Sequence, residues 1–163
     1  MTSERIWTAG LLVIGDEILS GRTQDRNIAQ IATWLNLQGI RLAEVRVVAD
    51  DMDAIGEAVN ALRARNDYLF TTGGIGPTHD DITVDAIAAA FGVPVIEHPE
   101  ARAILEDYYR DRPGGLTDAR LRMARTPQGA GGAGGLLCGA RRQRHRGAAA
   151  HGPGAGRRRA DRE

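Results

Sequence analysis

Short apolar segments alternate with segments of helical periodicity over the first 126 residues of the chain. Residues 9–14 are a continuous apolar run, which is typical of a strand that is covered on both faces. Residues 42–48 and 68–72 are two further strand candidates. Strands that alternate with helices across short loops indicate a mostly parallel sheet with helices on both faces. The sequence therefore predicts an α/β fold.

Helix signals fill the segments between these strands. Apolar residues at helical spacing, together with start and stop signals, predict the helices in order. The first helix passes through Ile28, Ile31 and Leu35 and ends at Gly39, and the second is capped by Asp51 or Asp53, with Ile55, Ala58, Val59 and Leu62 on its inner face. The third runs from Ile82 to Phe91 and ends at Gly92. The fourth begins at Pro99, with Ile104, Leu105 and Tyr108 on its inner face, and the fifth runs from Thr117 to Met123. Residues 93–96 are predicted to be extended.

The third strand leads into a glycine loop, T-T-G-G-I-G-P-T-H-D-D-I-T, which runs from Thr71 to Thr83. A strand that ends in a glycine loop and opens into a helix directs backbone N–H groups and the positive helix end toward an anion, usually a phosphate. The adjacent carboxylates of Asp80 and Asp81 follow where that phosphate would lie. Two such negative groups indicate a divalent cation or a catalytic role.

The loop differs from the two common phosphate-binding motifs. A P-loop ends in G-K-[ST], but this chain contains no lysine, and G-x-G-x-x-G is not met because P-T-H-D follows Gly76. Simpler roles stay open for the polar residues of the loop. Asp80 or Asp81 is also a suitable helix N-cap. Thr83 and His79 are alternatively solvent-facing residues.

Three loops follow the carboxyl ends of the predicted strands, where parallel sheets bind their ligands. The loops are residues 15–25, 49–53 and 71–81. In the first, Asp16 or Glu17 is a candidate metal ligand, and Ser20 and Gly21 are candidate ligand contacts; the alternative is that this loop makes only local turns. Asp50, in the second loop, is either a helix cap or an acid that faces the same cleft.

Charge and cysteine content exclude several classes of protein. Residues 1–127 carry 13 arginines against 19 acidic residues, which is not the charge of a nucleic-acid surface. The single cysteine, Cys138, excludes a disulfide framework or a cysteine metal site within one chain. The sequence contains neither a signal-peptide pattern nor an apolar run that could span a membrane. We therefore expect a cytoplasmic protein without a membrane or a specific nucleic-acid partner.

Two strings, T-T-G-G-I-G-P-T-H-D-D-I-T-V-D and the earlier G-D-E-I-L-S-G, carry a family resemblance. They resemble the molybdopterin-binding domain that molybdenum-cofactor biosynthesis proteins share with the CinA proteins (competence- and damage-inducible protein A). The core of the first string is common to the wider superfamily, whereas the two full strings resemble the CinA branch. The resemblance covers about residues 8–127. It implies a three-layer α/β/α domain with a mostly parallel sheet, which assembles into homo-oligomers.

The resemblance also implies roles for single residues. In the adenylyltransferase relatives, two acids at the cleft serve catalysis and Mg²⁺, and their matches here are Asp50 and Asp81. Taken with the loop patterns, the predicted ligand-binding and phosphate-binding residues are Gly15, Ser20, Gly21, Thr72, Gly73, Gly74, Gly76, Pro77, Thr78 and Thr83. The predicted metal ligands are Asp16, Glu17 and Asp80.

The implied chemistry acts at a pyrophosphate. The CinA branch is associated with splitting the pyrophosphate of ADP-ribose or a similar dinucleotide with a divalent metal. The resemblance therefore implies nucleotide or molybdopterin binding with metal-dependent hydrolysis of a nucleotide pyrophosphate, in which the expected divalent cation is Mg²⁺. One alternative is a molybdopterin adenylyltransferase of molybdenum-cofactor biosynthesis, in which a pterin phosphate attacks instead of water. Another is a non-catalytic pterin-binding or nucleotide-binding protein, or an inactive truncated product.

The composition changes after Pro127. Residues 128–163 contain ten glycines, eight alanines and eight arginines. Such a segment buries too little apolar area to offset the entropy lost on ordering it. It is interpreted either as a disordered basic tail or, the alternative we favour, as the out-of-frame product of a GC-rich gene. We therefore predict an incomplete domain over residues 1–127 and a Gly/Ala/Arg-rich tail over residues 128–163.

Overall fold

The fold of this chain is described by a computed structural model over residues 5–130. The strands are β1 (Trp7–Ile14), β2 (Ile40–Val48), β3 (Tyr68–Thr72), β4 (Val95–Glu97) and β5 (Arg125–Pro127). The helices are α1 (Asp16–Leu19), α2 (Asn27–Leu37), α3 (Met52–Arg65), α4 (Thr83–Phe91), α5 (Pro99–Tyr109) and α6 (Asp118–Leu121), and a 3₁₀ turn (Arg122–Ala124) follows α6.

A parallel sheet organises the described part of the chain. Over residues 5–130 it contains three strands in the order β2-β1-β3, and both neighbours pair with β1 in parallel. The long run of apolar residues in β1 suits this central position, because a central strand of such a sheet is buried on both faces. All three strands end at the same edge of the sheet, so that the loops that follow them meet there.

The two faces of the sheet carry separate hydrophobic clusters. Successive side chains of β1 point to opposite faces, so that Leu12 and Ile14 pack with α3 and α4, whereas Leu11 and Val13 pack with Leu35 of α2. Full burial of each Leu or Ile contributes about 1.5–3 kcal/mol. A helix layer on each side of the sheet confirms the predicted α/β/α architecture.

A second, smaller sheet lies beyond α4. Its two strands over the described residues, β4 and β5, are antiparallel, and Ile96 faces Thr126 in the register. The extended segment predicted at 93–96 corresponds to β4, whereas β5 occupies residues for which the sequence predicted no strand. The ion pair between Arg125 of β5 and Asp85 connects this sheet to α4, which packs on the central sheet.

Most helix signals are confirmed. Asp51 rather than Asp53 caps α3, because its Oδ1 accepts the N–H of Ala54 at 2.8 Å. Gly92 ends α4 in the left-handed conformation, with φ 66°, and Pro99 begins α5.

Three predictions about helices are wrong. The loop predicted over residues 15–25 begins with the short helix α1, whose single turn is too brief to show periodicity. Ile104 and Tyr108 of α5 do not point inward, because their side chains are 56% and 51% exposed. Neither Asp80 nor Asp81 caps α4, because that position is held by Ile82 without a side-chain hydrogen bond.

Residues 131–163 lie outside the described part of the chain, and so does most of the segment predicted as a tail. Residues 128–130 are described and continue from β5, with the N–H of Gln128 donating to the carbonyl of Pro94 at 2.9 Å. The domain boundary at residue 127 and the out-of-frame origin of the tail stay predictions. In the described residues no helix is both long and apolar enough to cross a membrane.

Candidate functional site

The loops after β1, β2 and β3 meet at one edge of the central sheet, as the sequence predicted. The first two loops are joined by a hydrogen bond, in which the backbone N–H of Asp16 donates to Oδ2 of Asp50 at 3.0 Å. The N–H of Gly15 also donates to the carbonyl of Val48 at 3.0 Å. These bonds hold the end of β1 against the end of β2.

Gly73 brings the glycine loop against the end of β1. Its φ of 96° lies in the region that favours glycine. A Cβ at this position would overlap the carbonyl oxygen of Ile14, which is a backbone atom that cannot swing aside. Glycine is therefore required here both by the backbone angle and by the close approach of two chain segments.

Thr83 fastens the loop to the first turn of α4. Its side chain is 1% exposed, and its hydroxyl donates to the carbonyl of Gly73 at 3.0 Å. Its N–H donates to the carbonyl of Gly74 at 3.2 Å. The alternative that Thr83 faces solvent is wrong, because this side chain is a buried support of the loop.

The two candidate catalytic carboxylates lie against different parts of the glycine loop. A Cβ built on Gly74 would be 3.4 Å from Oδ1 of Asp50, and one built on Gly76 would be 2.7 Å from Oδ2 of Asp81. Asp50 does not cap α3, because the adjacent Asp51 holds that position. The structure thus brings both acids to the loop that the sequence singled out.

Asp81 closes a tight turn with Thr78. Its Oδ2 accepts the N–H of Thr78 at 2.8 Å and also accepts the hydroxyl of Thr78. Partial burial raises the pKa of Asp81, but the hydrogen bonds from Thr78 and from the N–H of Gly76, together with the charge of Arg122, outweigh this effect. The pKa therefore lies below its ordinary value of 3.8, and the group is ionised at neutral pH.

Asp80 and His79 are exposed in the same turn. The hydroxyl of Thr78 and the N–H of Asp80 itself lower the pKa of the Asp80 carboxyl. A hydroxyl donates a single hydrogen bond, so that only one of the two neighbouring carboxylates holds the Thr78 proton at a time. Pro77 is exposed next to them, at the outer side of the loop.

Thr72, the last residue of β3, carries an unpaired polar atom. Its Oγ1 is buried and has no hydrogen-bond partner among the described residues. Buried hydroxyls are nearly always hydrogen-bonded. This hydroxyl is therefore an unpaired polar group at the end of β3, one residue before Gly73.

The residues of the loop after β1 differ in their surroundings. The carboxylate of Glu17 folds over Gly15, with Oε1 2.7 Å from where a Cβ would stand. The Ser20 hydroxyl instead donates to the carbonyl of Glu17 at 3.3 Å and accepts from Arg22 at 3.0 Å, and Gly21 is exposed. The roles of Ser20 and Gly21 in ligand binding stay predictions.

The predicted metal ligands do not form a ready-made cage. Over residues 5–130 there is no group of three His, Cys, Asp or Glu side chains placed to share a metal ion. Asp16 and Glu17 lie in the loop after β1, and Asp80 lies in the glycine loop. Their shared role as metal ligands stays a prediction.

Sequence reasoning missed two cationic side chains. Arg122 and Arg125 line a small cavity together with Gly76 and Asp81 of the glycine loop. They come from the 3₁₀ turn and from β5, about 40 residues after the loop, and no motif marks them. A feature that depends on folding a distant segment against the loop leaves no local signal in the sequence.

Comparison with known proteins gives a family match. Residues 10–156 match the family described as "Probable molybdopterin binding domain". The chain is also 38% identical over 122 residues to a CinA-like protein of Desulfosudis oleivorans, an alignment that covers 75% of this chain. It covers only 30% of that relative, so that the chain spans about a third of the relative's length.

Two solved structures place the fold. The CinA protein of Thermoplasma acidophilum, whose function is described as unknown, is 36% identical, with a TM-score of 0.68, and the match covers 74% of this chain and 70% of that one. The molybdopterin biosynthesis enzyme MoaB of Thermus thermophilus is 21% identical, with a TM-score of 0.51 and 71% of each chain covered. The second similarity concerns the fold alone.

Proposed function

The chain belongs to the family of molybdopterin-binding domains, and from this membership we propose that its glycine-loop site binds the phosphate groups of a nucleotide or a pterin. The predicted resemblance to this family and to its CinA branch is confirmed. The ligand is a small molecule whose phosphates meet the backbone of the loop and the start of α4. The positive end of a helix stabilises such anions.

The proposed reaction is hydrolysis of a nucleotide pyrophosphate such as that of ADP-ribose. The oxygen of a water molecule forms a bond to one phosphorus, and the bond from that phosphorus to the bridging oxygen breaks. Both water protons are released to the products or to solvent, and ADP-ribose gives AMP and ribose 5-phosphate. Asp50 or Asp81 orients the attacking water, while the loop holds the pyrophosphate in place.

One observation carries the proposal. Two carboxylates, Asp50 and Asp81, lie against a glycine loop whose backbone is fixed by the close approach of Gly73 to β1 and by the hydrogen bond from Thr83. The pKa of Asp81 lies below its ordinary value of 3.8, so that this carboxylate is charged at neutral pH. Two fixed negative charges beside a phosphate site suit a hydrolase that positions water or a cation, and they do not suit simple anion binding.

A divalent cation fits this donor set as a companion of the substrate. Mg²⁺ keeps several waters and is usually bound by one or two carboxylates plus substrate phosphates, rather than by a cage of protein ligands. Asp50 and Asp81 are the residues that would hold it, and Asp16, Glu17 and Asp80 are the further acids nearby. When bound, the cation offsets the charge that develops on the departing phosphate.

A molybdopterin adenylyltransferase is the second candidate. Membership of the molybdopterin-binding family supports it, and the same loop and acids would serve it. The reactions differ in the attacking group, which is a pterin phosphate in the transferase and water in the hydrolase. We further propose that the protein acts as a homo-oligomer in the cytoplasm.

The discriminating experiment offers the full chain two substrate mixtures with Mg²⁺, ADP-ribose alone or molybdopterin with ATP. We expect AMP from ADP-ribose and loss of at least about 100-fold of the rate in Asp81→Ala. Asp111→Ala, which removes an exposed carboxylate outside the site, is the matched control and retains the rate. Adenylylated pterin without AMP from ADP-ribose would favour the transferase, and binding without turnover would favour a non-catalytic binding protein.

A further inference from the structure

The cavity beside the glycine loop is small, and charged side chains line it from two segments of the chain. Gly76 and Asp81 line it from the loop, and Arg122 and Arg125 line it from the segment between α6 and β5. Its volume of about 20 Å³ exceeds the ~10–15 Å³ that one water molecule needs. The cavity therefore admits one oxygen-bearing group, but neither a nucleobase nor a pterin ring.

The two arginines of the cavity differ in what they bind. Arg125 is paired with Asp85 of α4. The Nε of Arg122 is buried without a hydrogen-bond partner, and in residues 5–130 no carboxylate lies within ion-pair distance of its guanidinium. Buried donors are nearly always paired. Arg122 is therefore the cation of this cavity that still lacks an acceptor.

We propose that Arg122 binds a phosphate oxygen of the ligand in this cavity, beside the backbone of Gly76. The identity of the ligand as a phosphate rests on the proposed function. The planar guanidinium presents five N–H donors in a fork that matches phosphate oxygens. Because the cavity is small, only one end of the phosphate group enters it, and the rest of the ligand lies outside.

The charge of Asp81 explains why a cation is needed in this cavity. Its carboxylate lines the same cavity, so that its negative charge repels an incoming phosphate. A cation at Arg122 offsets this repulsion, because opposite charges nearby favour both ionised groups. Arg122 thus lets a catalytic carboxylate and an anionic substrate occupy neighbouring positions.

The test measures binding of inorganic pyrophosphate to the full chain by calorimetry at constant ionic strength. The variants are Arg122→Gln, Arg122→Lys and, as a matched control, Arg110→Gln, which removes an exposed arginine outside the cavity. We expect Arg122→Gln to weaken pyrophosphate binding by about tenfold or more, as for loss of a charge-assisted hydrogen bond. Arg122→Lys restores part of the affinity as a point charge, and Arg110→Gln binds like the unmodified chain. Circular dichroism checks that each variant folds.

Equal affinity of Arg122→Gln and the unmodified chain for pyrophosphate would overturn the inference, as would absence of pyrophosphate binding to the unmodified chain. If Arg122→Gln does not fold, Arg122→Lys decides, because unchanged affinity in this variant contradicts a role for the guanidinium fork. Pyrophosphate binding that depends on Arg122 without hydrolysis of ADP-ribose would refute the proposed reaction alone. Hydrolysis with an unchanged KM in Arg122→Gln would refute the anion site alone.

Discussion

At the residue scale, Gly73 shows how one missing side chain shapes the site. Its replacement by alanine adds a Cβ that overlaps the Ile14 carbonyl and imposes a φ of 96° on a residue that disfavours it. We expect Gly73→Ala to lower the free energy of unfolding by about 1–2 kcal/mol for the backbone angle and by about 1–3 kcal/mol more for the overlap. Urea unfolding measures the sum.

Gly39 provides the control for this prediction. It also has a positive φ, 71°, but a Cβ there would meet nothing within 4 Å. Gly39→Ala therefore measures only the cost of the backbone angle, and we expect it to lower the free energy of unfolding by about 1–2 kcal/mol. If the two variants were equally stable, the close approach between the loop and β1 would not be a source of rigidity.

The pKa of Asp81 gives a second prediction at this scale. The hydroxyl of Thr78 donates to this carboxylate, so that Thr78→Val should raise the pKa of Asp81 toward its ordinary 3.8. Thr78→Ser retains a hydroxyl and should leave the pKa low. A carbon-detected NMR titration of the Asp81 carboxyl measures both variants, and an unchanged pKa in Thr78→Val would contradict the assigned hydrogen bond.

The same shift has a consequence for stability. Because the pKa of Asp81 is lower in the folded than in the unfolded chain, its contribution to the free energy of unfolding is complete above the ordinary value of 3.8. The contribution is lost as the pH falls through the lower, folded pKa. We expect unfolding curves of the unmodified chain and of Thr78→Val to converge as the pH is lowered through this window. Curves that stay parallel would contradict the linkage.

At the element scale, two adjacent acids at the start of α3 have different roles. Asp51 caps the helix, whereas Asp50 points to the glycine loop. We expect Asp51→Ala to cost about 1 kcal/mol of stability without changing substrate turnover, and Asp51→Asn to cost little. Asp53→Ala removes only a charge from the first turn and should cost about 0.3–1 kcal/mol. Thermal unfolding ranks the variants, and a larger loss in Asp53→Ala would contradict the cap.

The elements also show what the sequence can predict. β1 was predictable because its apolar run is long, and α3 because its cap and its buried face agree. β5 was not, because three residues such as Arg125–Pro127 become a strand only by pairing with β4. The predicted inner face of α5 failed for a related reason, since periodicity identifies an amphipathic face but not what covers it. Ile104 and Tyr108 lie on such a face and are largely exposed.

At the scale of the whole molecule, one part of the candidate site could be predicted from the sequence and the other part could not. The glycine loop and both acids were found because they lie at strand ends, where the topology brings short motifs together. Arg122 was not found, because its position depends on how the second sheet folds back against α4. The candidate catalytic residues thus follow strands of the central sheet, and the proposed anion-binding residue lies where the second sheet meets α4.

An ion pair between Arg125 and Asp85 lies where the second sheet meets α4, and it gives the last prediction. Their side chains are 29% and 34% exposed, whereas those of Arg110 and Asp107, an exposed pair at the C-terminal end of α5, are 69% and 72% exposed. Exposed pairs contribute about 0.2–1 kcal/mol, and partial burial strengthens a pair because the surrounding dielectric is lower. We therefore expect a double-mutant cycle of alanine variants to give a coupling energy of about 1 kcal/mol or more for Arg125 and Asp85, and less for Arg110 and Asp107. Equal coupling in the two cycles, measured by urea unfolding, would mean that packing and not charge holds the second sheet against α4.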